Sequence, residues 1–160
     1  MQIGVISDTH GHLRGTQDAV RMLESLQVEA VLHCGDIGTP EVVACLRPWP
    51  THFVFGNTDH DHLTLREAIE SCGLVCHGEY GEIELGRRRI ALLHGHDQRR
   101  LRQTIMDEQH DLVCSGHTHV AEVDRRGRTL VLNPGAIYRA NPHTIAVVDL
   151  AKMEATIVPL

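Results

Sequence analysis

Five short apolar segments, Ile3–Ile6, Ala30–Leu32, Phe53–Phe55, Ile90–Leu93 and Leu112–Val113, are each followed within a few residues by side chains that ligate metal ions. The first leads into Asp8-Thr9-His10 and the second into Gly35-Asp36. The third leads into Gly56-Asn57-Thr58-Asp59, the fourth into His94-Gly95-His96, and the fifth into Gly116-His117-Thr118-His119. Apolar runs of this length, bounded by glycine and polar residues, read as buried strands. In a parallel sheet the loops that follow the strands emerge at one edge, where α/β proteins hold their ligands. Asp8, His10, Asp36, Asn57, His94, His117 and His119 are therefore expected to converge on one spot. The pattern confines the chain to an α/β fold that carries a metal site.

Each motif alone has an ordinary structural explanation. An isolated Asp-x-His occurs by chance, and Asp8 is a residue type that caps helices. Gly35-Asp36 and Asn57 suit turns. His33 and His52, inside strands, read as core or edge histidines with satisfied hydrogen bonds. Gly116-His117-Thr118-His119 is harder to dismiss, because histidines two residues apart after a buried strand point the same way. Five such motifs at five strand ends make coincidence a poor explanation.

The elements alternate in the first half. Ile3–Ser7, Ala30–Cys34 and His52–Phe55 read as strands, and Gly15–Leu26, Glu41–Leu46 and Leu63–Glu70 as helices. Ala19, Val20, Leu23 and Leu26 share one helix face, and Thr39 with Pro40 is expected to cap and open the second helix. This order implies right-handed crossovers and a parallel sheet. The second half is rich in hairpins: Glu79–Leu85, Arg89–Leu93, Val120–Asp124, Thr129–Leu132, Thr144–Asp149 and Met153–Val158 read as strands, interrupted by one helix, Asp97–Glu108. Turns are expected at Gly86-Arg87, at Arg126-Gly127 and after Leu150. A parallel half followed by a hairpin-rich half predicts two mixed β-sheets packed as a sandwich and flanked by helices. With no linker, repeat or low-complexity tract, residues 1–160 are expected to form a single domain.

Composition narrows the partners. A formal net charge of -6 leaves no basic face for nucleic acid, and 3% aromatic content leaves little on which to stack bases. No basic and apolar leader opens the chain, and no apolar run approaches the roughly 18 residues of a membrane span. Five cysteines, odd in number and scattered, suit reduced thiols and a cytoplasmic location.

In the order Asp-x-His, Gly-Asp, Gly-Asn-x-Asp, His-Gly-His, Gly-His-x-His and Asn-Pro-Gly, the motifs resemble the calcineurin-like metallophosphoesterase superfamily. The likeness runs from Ile3 to about Pro142 and is greatest to the small bacterial and archaeal phosphodiesterase branch. It implies a fold of two mixed sheets flanked by helices. It implies that Asp8, His10 and His119 hold one divalent ion and Asn57, His94 and His117 a second, with Asp36 bridging them. The expected ion is manganese, with iron, zinc, cobalt and nickel compatible with the same donors. Two cations held roughly 3.5–4 Å apart can trap a bridging hydroxide and bind phosphoryl oxygens. The implied reaction is hydrolysis of a small phosphodiester by that hydroxide, with Asp36, Asn57 and His117 holding the hydroxide and phosphate in place. A non-catalytic scaffold is the main alternative, since retromer-subunit relatives of the same fold have lost metal ligands. A phosphomonoesterase is the other, and a homo-oligomer is left open.

Thr58 departs from the wider superfamily, where a histidine at this position is thought to protonate the leaving oxygen. The small phosphodiesterase branch tends to lack it too. A threonine hydroxyl is too weakly acidic for that role, so His12, His60, His62 and His96 are candidates to replace it. Solvated loop histidines are the commoner reading for each. Asp59 is expected to orient a ligand histidine from behind. Arg99, with Arg100 and Arg102, is positioned to greet a phosphate, although such a charge run more often marks a solvated helix face. Cys34 and Cys114 read as small buried hydrophobes, and Asn133-Pro134-Gly135 as a turn packed under the site.

Overall fold

A computed structural model describes residues 1–160. The strands are β1 (Gln2–Ile6), β2 (Ala30–His33), β3 (Thr51–Phe53), β4 (Val75–Cys76), β5 (Tyr80–Leu85), β6 (Arg88–Leu93), β7 (Leu112–Cys114), β8 (Glu122–Arg126), β9 (Thr129–Asn133), β10 (Thr144–Asp149) and β11 (Glu154–Pro159). The helices are α1 (Leu13–Ser25), α2 (Pro40–Cys45), α3 (His62–Ser71) and α4 (Gln98–Met106). They build two mixed sheets, ordered β11-β10-β1-β2-β3-β4 and β5-β6-β7-β9-β8.

Alternation along the strands decides what lies between the layers. Ile3 and Val5 of β1, Leu32 of β2, Ile90 and Leu92 of β6 and Leu112 of β7 meet in one core between the sheets. Ile6, Val31 and Phe53 point the other way, onto Ala19, Leu23, Val43 and Ile69 of α1 to α3. On the far side, Ala91, Leu93 and Val113 pack against Leu101 and Ile105 of α4. The result is the expected α/β/β/α stack. Both faces of β1 and β2 are covered, which is why they read as unbroken apolar runs. Gly4 belongs to the same logic: a Cβ there would collide with the Leu23 side chain of α1.

The sheets do not divide the chain into halves. After building the whole of the second sheet, the chain returns: β10 pairs antiparallel with β1, placing Val148 opposite Ile3, and β11 pairs with β10. The second sheet also contains parallel pairs, β6 with β7 and β7 with β9. The loops that carry the expected ligands therefore leave two sheets rather than one, three from β1 to β3 and two from β6 and β7. The short β4 had no pattern to announce it. Thr39 precedes α2 without a side-chain cap, and Pro40 alone opens that helix. The β8–β9 turn falls at Gly127-Arg128, one residue beyond expectation. All five cysteines are free, with Cys34 and Cys114 in the inter-sheet core. No helix is long and apolar enough to cross a membrane.

Candidate metal centre

Hydrogen bonds from backbone N–H groups lace four of the loops together, and Thr58 N–H ties in the fifth through Asp36 Oδ1. Asp8 N–H donates to the Gly35 carbonyl at 3.0 Å, His10 N–H to Asp36 at 2.8 Å and Gly11 N–H to Ile37 at 3.0 Å. These bonds prolong the β1–β2 pairing past the strands. Within the second sheet Gly116 N–H donates to the His94 carbonyl at 2.9 Å, and His117 N–H joins that sheet to the first by donating to Asp8 Oδ2 at 3.1 Å. Asn133 Nδ2 donates to the Gly116 carbonyl at 2.8 Å, so the Asn133-Pro134-Gly135 turn does support the site. Asp8, His10, Asp36, His117 and His119 all have left-handed backbone, with φ of 55°, 45°, 54°, 69° and 59°. Each costs a non-glycine residue roughly 1–2 kcal/mol. Strain of this kind gathers at functional sites and persists only where its surroundings enforce it.

The side chains face one another across short gaps. Asp8 Oδ1 lies 3.1 Å from His119 Nε2, 3.8 Å from His10 Nε2 and 4.0 Å from His94 Nε2. Asp36 Oδ2 lies 3.4 Å from His94 Nε2 and 3.6 Å from His10 Nε2. Asp8, His10 and His119 form one candidate ligand group, and Asp8, Asp36 and His94 another. His117 stands beside them, its ring 5.2 Å from that of His94, and Asn57 is exposed in the loop after β3, outside both groups. Asp8 thus belongs to both groups, whereas Asp36, for which the resemblance implied the bridging role, belongs to the second and lies 3.6 Å from His10 of the first.

The histidine tautomers reveal what the cluster accepts. His94 Nδ1 donates to the Cys34 carbonyl at 2.8 Å, and His119 Nδ1 donates to the Arg139 carbonyl at 3.3 Å. In their neutral forms both rings then turn Nε2 lone pairs toward carboxylate oxygens. Lone pair against lone pair repels, and a cation between them reverses the sign. Asp8 Oδ1 and His94 Nε2 are buried without any hydrogen-bond partner. Such groups each cost roughly 1–3 kcal/mol, so their presence calls for an explanation. The donor set fits divalent cations. Burial pushes the Asp36 carboxyl up, but His94 and the Thr58 N–H outweigh it and hold it well below the usual carboxylate range. Burial also pushes His94 down, yet Asp36 and Asp8 carry it above its ordinary value. The same burial leaves His10 and His117 lowered. Positive charge is drawn to the point between the two carboxylates.

The surrounding residues fall differently from expectation in two places. Asp59 touches no histidine; its carboxylate accepts from the backbone N–H groups of Ile37, Gly38 and Gly56 at 3.1, 2.9 and 2.8 Å. It pins the Asp36 loop to the Asn57 loop, because three amides converge where the chain turns away from both strands. Arg99 is exposed on α4 and its N–H is capped by Asp97. Arg100, lying 4.2 Å over the Tyr80 ring, borders a small cavity with His94 and His96 instead. Thr58 donates its N–H to Asp36 Oδ1 at 2.9 Å and faces an open cleft of about 490 Å³. His12 caps α1 by accepting from Gly15 N–H at 3.2 Å. His62 stacks on Phe55, and His60 is exposed. His33 is a satisfied core histidine, held between the Thr9 hydroxyl (2.9 Å) and Gly35 N–H (3.2 Å). His52 is half-buried and meets His77 at 2.9 Å. Tyr138 and Arg139, which the sequence did not single out, line the same cleft as His10, His12 and Thr58. Their only signal is that they follow the Asn133-Pro134-Gly135 turn.

Comparison with known proteins agrees with this geometry. A phosphodiesterase of Methanocaldococcus jannaschii is 30% identical over 161 residues, covering 96% of each chain. A solved archaeal phosphodiesterase superposes with a TM-score of 0.93 at 29% identity, over 100% of both chains. Vps29 of Entamoeba histolytica superposes at 0.70 over 100% of this chain and 99% of its own; at 22% identity the likeness is one of fold alone. The profile of the calcineurin-like phosphoesterase superfamily domain matches residues 1–153, a span that contains every loop facing the centre. The chain belongs to the calcineurin-like phosphoesterase superfamily.

Proposed function

We propose that residues 1–160 act as one di-metal phosphodiesterase that hydrolyses small phosphodiesters. The observation that carries this reading is the pair of buried, unpartnered acceptors, Asp8 Oδ1 and His94 Nε2, among oriented imidazoles. Asp8, His10 and His119 would hold one cation and Asn57, His94 and His117 the other, with Asp36 and Asp8 both placed to be shared. The carboxylate and imidazole donors suit manganese, and iron, zinc, cobalt and nickel compete for the same set. Bound there, the cations supply Lewis acidity and bring the pKa of a water to near neutrality. The name of the Methanocaldococcus relative supports a diester as the substrate class.

The protein's own contribution is positioning. The Cys34 and Arg139 carbonyls fix the tautomers of His94 and His119, which keeps each Nε2 available as a ligand. Thr58 N–H and the left-handed turn at Asp36 aim that carboxylate inward. Asn57 and His117 stand at the rim, where a phosphoryl oxygen enters. Thr58 offers no acid, so the leaving oxygen departs largely as an anion and good leaving groups are favoured.

Elemental analysis of remetallated protein, alongside hydrolysis of bis-p-nitrophenyl phosphate, tests the reading. Close to two Mn²⁺ per chain is expected. Asp36→Asn and His117→Ala should each lower turnover by at least about 10²-fold with the fold intact by circular dichroism. Protein that stays metal-free and monodisperse under excess Mn²⁺ would instead support a scaffold.

A further inference from the structure

The cleft beside the candidate centre has a wall that the hydrolytic reading does not use. His12 and Tyr138 stack with ring centroids 4.8 Å apart and 23° between their planes, and the Tyr138 ring lies 6.2 Å from that of His10. The Arg139 guanidinium carbon stands 5.4 Å from the Tyr138 ring centroid. All of these residues line the same cleft as Thr58. The chain has two tyrosines, and the other, Tyr80, is covered by Arg100.

The wall is held rigidly to the centre. Ile137 N–H donates to the Ser7 carbonyl and Tyr138 N–H to the Asp8 carbonyl, both at 3.2 Å. The Arg139 carbonyl receives His119 Nδ1, and this residue has a left-handed φ of 57°. No carboxylate lies within ion-pair reach of the Arg139 guanidinium, although two lie deeper in the centre. A cation beside a flat aromatic pair, at the mouth of a metal-binding cleft, matches a ligand that is both anionic and planar.

We infer that His12, Tyr138 and Arg139 form a subsite for the aromatic substituent of an aryl- or nucleobase-bearing phosphoester. Tyr138 and His12 supply the stacking surface, and Arg139 pairs with a phosphoryl oxygen. This deepens the phosphodiesterase reading and rests on it for the identity of the substrate, but it makes a separate demand. Leaving-group acidity alone would favour aryl esters in turnover without any preference in binding. A subsite favours flat groups in binding, even where nothing can leave.

Phenylphosphonate and methylphosphonate, neither of which is hydrolysed, separate the two causes. Their dissociation constants for the Zn²⁺-loaded protein are measured by titration calorimetry. Phenylphosphonate should bind about 10-fold more tightly. Tyr138→Leu should erase that preference and Tyr138→Phe should retain it. Arg139→Gln should weaken both ligands by about 5- to 10-fold while leaving their ratio unchanged. Equal binding of the two phosphonates by the unaltered protein, or no binding of either, overturns the subsite. So does a preference that survives Tyr138→Leu. Tyr138-dependent binding by a protein that hydrolyses no diester would sustain the subsite and overturn the catalytic assignment.

Discussion

Thr58 presents its side chain to the cleft that also receives Tyr138 and Arg139, while its N–H is committed to Asp36 Oδ1. The backbone is thus fixed by a bond that no side chain replaces, and an imidazole at this position has open space before it. Thr58→His is expected to raise turnover of esters with poor leaving groups by roughly 10²-fold, and of aryl diesters far less. The check is a leaving-group series on both proteins. A flat dependence in the unaltered protein would mean that another residue already supplies the proton. His33 makes a different prediction. Burial pushes it from 6.5 down to about 3, with the nearby His94 adding to the effect. Between those values the unfolded chain binds a proton that the folded chain refuses. The contribution of His33 is therefore complete above pH 6.5 and is lost as pH falls toward 3. The loss steepens stability against pH by up to about 1.4 kcal/mol per unit. His33→Gln should lower overall stability and make that slope shallower, as read by urea unfolding of chelator-treated protein across pH.

At the scale of elements, the loops owe their shape to residues with no chemistry of their own. A Cβ on Gly116 would overlap Ser7 Oγ and press on Asp8 Oδ2, and one on Gly56 would overlap Asp36 Oδ1. The second sheet can approach the first at this point only because Gly116 is bare, and the loops after β2 and β3 can meet only because Gly56 is. Gly116→Ala is expected to displace the Asp8 carboxylate and cost roughly 1–3 kcal/mol of stability, together with most of the Mn²⁺ binding. Calorimetric metal titration and urea unfolding of the same variant measure both. Asp59→Ala strands three amides at the junction of the Asp36 and Asn57 loops. At roughly 1–3 kcal/mol for each unsatisfied group, it should destabilise more than Gly116→Ala, and Asp59→Asn should recover part of the loss.

Across the whole molecule the candidate centre joins the two sheets. Asp8, His10, Asp36 and Asn57 follow strands of one sheet, whereas His94, His117 and His119 follow strands of the other. Ligation should therefore stabilise the sandwich as a unit. Free Mn²⁺ at 100 times its dissociation constant adds about 2.7 kcal/mol per site. For a chain of this size that is a rise in Tm of roughly 5–10 °C per site, reversed by chelator and reduced in Asp36→Asn. Much of this was legible without coordinates. Strand character and donor chemistry are both local: Ile3–Ile6 is apolar whatever surrounds it, and Gly116-His117-Thr118-His119 offers two imidazoles on a tight turn wherever it ends a buried strand. The ordered motifs were therefore enough to indicate the layers and the family. Sheet membership was not legible, because β10 and β11 look like any hairpin until Val148 finds Ile3 across nearly the full length of the chain. Nor were the roles of Asp59, Tyr138 and Arg139. Asp59 acts through amides of two loops, and the other two reach the cleft only because β1 ends beside them. Local composition determines which elements form and what chemistry they carry; long-range pairing, whose partners are far apart in sequence, decides which neighbours that chemistry meets.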